Sequence, residues 1–127
     1  MVQPENPMSS QTTSPTITLA QIAVARSGDK GNHANLGVVA YTRAGYECLE
    51  RELTVERLGT YFAGLAAREV RRYLLPRILS MNFLLLDALG GGASRSLRID
   101  TQGKLLGTAL LELELPRPDN LAEMLAG

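Results

Sequence analysis

The residues best equipped for chemistry lie in one stretch, Ser27-Gly28-Asp29-Lys30-Gly31-Asn32-His33-Ala34-Asn35. Its two glycines permit backbone conformations that aim amide N–H groups at one point. Such a concavity suits an anion, and Lys30 adds positive charge. Asp29, Lys30 and His33 are the catalytic candidates, with Asp29 or His33 as acid/base and Lys30 or backbone amides stabilising an oxyanion. Ser27, Gly28, Asp29, Lys30, Gly31 and Asn35 are candidates for ligand binding. The same residue types dominate ordinary turns, where Asp and Asn bond to their own backbone. A binding loop and a plain polar turn therefore both fit. The stretch is no P-loop, because Gly-x-x-x-x-Gly-Lys-Ser/Thr is missing and an apolar strand follows it.

A second polar run, Gly90-Gly91-Gly92-Ala93-Ser94-Arg95-Ser96, offers Gly91, Arg95 and Ser96 for phosphate or carboxylate binding. It reads equally well as a helix stop and turn. Asn82 interrupts an apolar stretch and joins the ligand candidates, since a buried carboxamide needs partners. His33 is the only histidine and no Cys or His stands at metal-ligand spacing from it, so no metal is expected. No dinucleotide fingerprint or other cofactor motif occurs. Cys48 is the only cysteine, which excludes an internal disulfide and fits a reducing compartment. It lies beside leucines without a neighbouring base and reads as a small core or surface residue rather than a nucleophile.

The 127 residues suit one domain, and 13 basic residues balance 13 acidic ones. A neutral chain lacks the basic excess expected of a nucleic-acid or membrane-surface protein. No apolar run approaches membrane-spanning length. Neither a signal peptide nor a transit peptide is evident, so the expected location is cytoplasmic. The cluster Arg68, Arg71, Arg72 and Arg77 reads as a solvated face or partner contact.

Residues 1–16 are Pro-, Ser- and Thr-rich and read as a disordered arm. Ile17 to Ala25 is a strand candidate whose alternation slips near Ala20. Arg26 to Asn35 is expected as a long polar loop, followed by a buried strand over Leu36 to Thr42. Tyr46 to Glu52 suits one or two helical turns. Thr54 caps a further helix bearing Val55, Leu58 and Phe62, which Gly64 stops. Glu69 to Leu75 reads as a strand that Pro76 ends or marks as an edge. Ile78 to Leu89 is assigned helix on length, although its leucines also suit a buried strand. Ser96 to Asp100 reads as a short strand or turn, and Asp100 to Gly103 as a turn. Leu110 to Leu115 alternates as a strand with one wet face. Residues 117–127 form a tail, with a short helix over Asp119 to Ala126. The expected fold is α+β: a ferredoxin-like sandwich with a mixed or antiparallel sheet of about four strands and helices on one face.

Ala25-Arg26-Ser27-Gly28-Asp29-Lys30-Gly31 followed by Asn35-Leu36-Gly37-Val38 resembles the C-terminal domain of the acyclic terpene utilisation protein AtuA and its small stand-alone relatives. Leu53-Thr54-x-Glu56, Tyr61-Phe62, Asn82-Phe83, Leu89-Gly90-Gly91-Gly92, Ser96-Leu97-Arg98-Ile99-Asp100, Gly103-Lys104 and Leu110-Leu111 continue the likeness in order, from about Leu19 to Leu115. The family often has an acidic or small polar pair where this chain has Asn32-His33. The resemblance implies a ferredoxin-like domain over residues 17–116. It also implies an accessory role beside a larger AtuA-like protein in acyl-CoA or terpenoid catabolism. An anionic ligand such as a CoA thioester would bind through Ser27 to Asn35. A hydratase- or lyase-like enzyme and a structural oligomerisation domain are the alternatives, and a homo-oligomer is compatible with all three.

Overall fold

The computed structural model describes residues 14–88 and 106–127. Its strands are β1 (Thr16–Thr18), β2 (Ala23–Lys30), β3 (His33–Ala40), β4 (Glu69–Leu75), β5 (Ser80–Leu86) and β6 (Glu114–Pro116). Its helices are α1 (Arg43–Glu52), α2 (Val55–Tyr61) and α3 (residues 106–111). β2, β3, β5 and β4 form an antiparallel sheet in that order, and β1 pairs with β6 as a separate two-stranded clip. Two hairpins, β2–β3 and β4–β5, are thus joined through α1 and α2, and their inner strands β3 and β5 pair.

Alternation sorts the sheet into two faces. Ala34, Leu36 and Val38 of β3 stand opposite Leu85, Phe83 and Met81 of β5, and all are buried. α1 packs on β3 and α2 on β4. α3 approaches β2 so closely that a Cβ on Gly107 would lie 3.2 Å from the Ser27 nitrogen. The helices therefore share one face, as expected for an α+β sandwich. The core on that face includes Tyr46, Leu49, Leu58, Phe83 and Leu110, and each fully buried large apolar side chain contributes about 1.5–3 kcal/mol.

Several local expectations hold, and the structure gives their causes. Glu69–Leu75 is a strand at the sheet edge, and Pro76 opens a 3₁₀ turn to Ile78. The Thr54 hydroxyl accepts from Arg57 N at 3.1 Å and caps α2. α2 nevertheless ends at Tyr61, before Gly64, and a 3₁₀ turn over Ala63–Leu65 follows. The slip near Ala20 is a 3₁₀ turn, Leu19–Gln21, between β1 and β2. The segment before Thr54 is longer than expected: Thr42 caps a ten-residue α1 through Gly45 N at 3.0 Å.

Other expectations are corrected. The segment Ile78 to Leu89 is no helix; β5 occupies Ser80–Leu86, sandwiched between β3 and β4. Leu84 and Leu86 add apolar residues to its second face and hide the alternation of Met81, Phe83 and Leu85. Leu110 to Leu115 divides between the end of α3 and the short β6. The tail carries only a 3₁₀ turn at Leu121–Glu123. The expected strand or turn at Ser96 to Asp100 and the turn at Asp100 to Gly103 lie outside the described residues.

Two of the arginines expected on a solvated face make specific ion pairs, and a third binds the chain end of α1. Arg72 turns toward the helices, where one guanidinium nitrogen donates to Glu50 O at 3.0 Å and Leu53 O at 2.8 Å. It thereby satisfies carbonyls at the C-terminal end of α1. Arg68 pairs with Asp87 and Arg71 with Glu69.

Candidate functional site

The segment expected as a loop is mostly sheet. β2 continues to Lys30 and β3 begins at His33, so only Gly31 and Asn32 make the turn. Gly31 has φ +63°, while Asn32 is not among the residues of positive φ. A positive φ at the first central residue alone is the II′ hairpin pattern, and it explains glycine there.

Pairing then decides where each candidate can act. In β2, Ser27 stands opposite Leu36 and Asp29 opposite Ala34, so both belong to the helix-bearing side. The Ser27 hydroxyl accepts from Gly107 N at 3.0 Å, which ties β2 to α3. Arg26, Gly28, Asn35, Gly37 and Asn82 alternate to the opposite, open face. Arg26 pairs with Gly37, which pairs with Asn82, which pairs with Tyr73; this row crosses all four strands. The adjoining row is Gly28, Asn35, Leu84 and Arg71.

These rows enclose a shallow notch of about 340 Å³, lined by Arg26, Ser27, Gly28, Asp29, Asn35, Gly37 and Asn82. Gly28 and Gly37 leave bare backbone as its floor. A Cβ on Gly37 would meet Asn82 Oδ1 at 3.3 Å, whereas one on Gly28 would meet nothing within 4 Å. Among the described residues, the Arg26, Asn35 and Asn82 side chains form no hydrogen bond or ion pair with one another or with other side chains. They supply guanidinium and carboxamide donors over a flat floor, chemistry that fits a planar anion.

His33 acts elsewhere. Its Nδ1 accepts from Asp87 N at 2.9 Å, and Asp87 has φ +61°. The Asp87 carboxylate is held by Arg68 Nε at 2.6 Å, and that hydrogen bond keeps its carboxyl below the usual range. His33 thus secures the end of β5. Asp29 and His33 stand on opposite faces and do not form an acid/base pair. Lys30 is placed by its backbone, opposite His33 at the hairpin end. Gly31 is the turn residue. Gly91, Arg95 and Ser96 lie outside the described residues. Cys48 is buried, and that burial pushes its thiol up, away from a reactive thiolate.

Of the sequence candidates, the structure brings Ser27, Gly28, Asp29, Asn35 and Asn82 into one notch, Ser27 and Asp29 by position on β2. It adds Arg26 and Gly37. Their signal was available: both sit at the alternate positions that β2 and β3 share with Gly28 and Asn35. It was lost because Arg26 to Asn35 reads as loop. A larger groove of about 730 Å³ runs between α2 and residues 112–114. It holds no candidate residue, and its lining carries Glu56, Glu112 and Glu114 against Arg57 alone. Size does not make it the better anion site. Among the described residues, no group of three or more His, Cys, Asp or Glu could hold a metal, and no helix is long and apolar enough to cross a membrane.

Comparison with known families matches residues 17–116 to the AtuA ferredoxin-like domain. The chain belongs to that family. Its helix-backed four-stranded sheet is accordingly a ferredoxin-like α+β fold. No curated protein and no solved structure matches the chain. Membership in the AtuA ferredoxin-like family brings the context of a larger AtuA-like protein.

Proposed function

We propose that this AtuA ferredoxin-like domain is an accessory, small-subunit module that binds an anionic small molecule beside a larger AtuA-like protein in acyl-CoA or terpenoid catabolism. One observation carries the reading: three adjacent strands deliver Arg26, Asn35 and Asn82, without side-chain partners among the described residues, to a glycine-floored notch. Polar groups left unpaired on a sheet gain more from a ligand than groups already bonded within the fold. The binding surface is thus the open face behind the hairpin, and the Gly31-Asn32 tip serves to hold the register.

The same face exposes Val24, Val39 and Tyr73 around the notch, and β4 is an edge strand of the sheet among the described residues. These surfaces support association with the larger protein or with a second copy. The Glu69–Arg71 pair puts charge on that edge, a feature that restrains indiscriminate strand addition.

Co-expression with a large AtuA-like protein, followed by co-purification and titration with small organic anions, tests the proposal. The expected result is a stable complex and anion binding that Arg26→Gln weakens. A monomer in light scattering that neither captures the large protein nor binds any anion would refute it.

A further inference from the structure

The notch and its surroundings carry the reading one step further, to the class of ligand. We infer that the site takes a carboxylic acid with an apolar chain: the carboxylate lies on the glycine floor against Arg26, and the chain runs over Val24 and Val39. This inference rests on the notch being an anion site.

Charge sets the first limit. Among the described lining residues, Arg26 is the single cation. A polyphosphorylated ligand gathers several cations, whereas one guanidinium matches one carboxylate in a planar, two-point contact. Shape sets the second. Gly28 and Gly37 are diagonal neighbours on paired strands, so the floor is flat backbone flanked by Arg26 on one side and Asn82 on the other. A planar carboxylate fits between them, and Asn35 adds donors from the adjoining row. The third limit is what lies beside the notch. Val24 pairs directly with Val39 in the next row, and they are 47% and 40% exposed. Two β-branched side chains left in water next to a polar notch match an amphipathic ligand.

The full chain would be titrated calorimetrically with octanoate, octanol, inorganic phosphate and octanoyl-CoA. Octanoate is expected to bind, while octanol and phosphate at equal concentration are not. Arg26→Gln should weaken octanoate binding about tenfold or more, the loss typical of a hydrogen bond to a charged group. Its thermal melt should be unchanged, because the Arg26 side chain holds no partner among the described residues. Gly37→Ala is an independent variant that raises the floor and should weaken octanoate as well. If octanoyl-CoA or phosphate binds in an Arg26-dependent way and octanoate does not, the carboxylate assignment fails and the anion site stands. Octanoate binding indifferent to both substitutions overturns the assignment too. If no anion binds, the site reading itself falls.

Discussion

Replacing Gly107 by alanine probes how α3 fixes β2 behind the notch. Alanine favours a helix over glycine by about 1 kcal/mol, so on propensity alone the variant should be more stable. The packing says otherwise. The added Cβ would sit 3.2 Å from Ser27 N, 3.2 Å from Ser27 Oγ and 3.3 Å from Arg26 C. Two of those atoms are backbone of a paired strand and cannot rotate aside. Relief must come from α3 moving away, which also lengthens the 3.0 Å bond from Gly107 N to Ser27 Oγ. Overpacking of this kind costs about 1–3 kcal/mol, and weakening the bond costs up to about 1 kcal/mol more. Against the helical gain of about 1 kcal/mol, the net is a destabilisation centred on about 1.5 kcal/mol, or roughly 6 °C in Tm for a domain of this size. Differential scanning calorimetry of wild type, Gly107→Ala and Ser27→Ala measures it. A Gly107→Ala melt above wild type would refute the close approach of α3 to β2, and with it the account of Ser27 as a strand-to-helix tie.

Two further outcomes are expected. Arg72→Met keeps the aliphatic stem but frees the carbonyls of Glu50 and Leu53; urea denaturation should show a loss of about 1–3 kcal/mol, and an unchanged midpoint would mean that water replaces the guanidinium at no cost. Hydrogen bonds from Arg68 and Arg71 lower the Asp87 and Glu69 carboxyl pKa values, so each carboxyl binds its proton less tightly folded than unfolded. The stability they add is present above the ordinary carboxylate range and is lost as pH falls through it toward the depressed folded values. In melts recorded between neutral and acid pH, Asp87→Asn should flatten part of that decline, by a small amount because the pairs are exposed.

Much of the fold was legible because local signals and tertiary context agree. Thr54 is both a good cap and an actual one, and Pro76 ends β4 because that strand lies at the edge. β5 is hidden in the sequence for the opposite reason. A central strand with Leu84 and Leu86 on its second face has no polar alternation left to display, and Leu79, Phe83 and Leu86 also satisfy a helical period. At the site, the residue types are visible in the sequence and their geometry is not. Arg26, Gly28 and Asn35 lie on a sheet face that no described element covers, and a polar stretch with two glycines looks like a loop in one dimension. Only the cross-strand register separates Ser27 and Asp29 from Gly28 and Asn35, and register depends on the Gly31-Asn32 turn. Asn82 stands out by its chemistry alone, but its neighbours Arg26 and Gly37 come from strands distant in sequence.

The β1–β6 clip pairs Thr16 with Pro116, so the two ends of the family domain leave side by side. To any host chain the module is an appendage with a single point of attachment. It can be spliced into a surface loop, hung from a terminus or expressed alone without pulling its sheet apart.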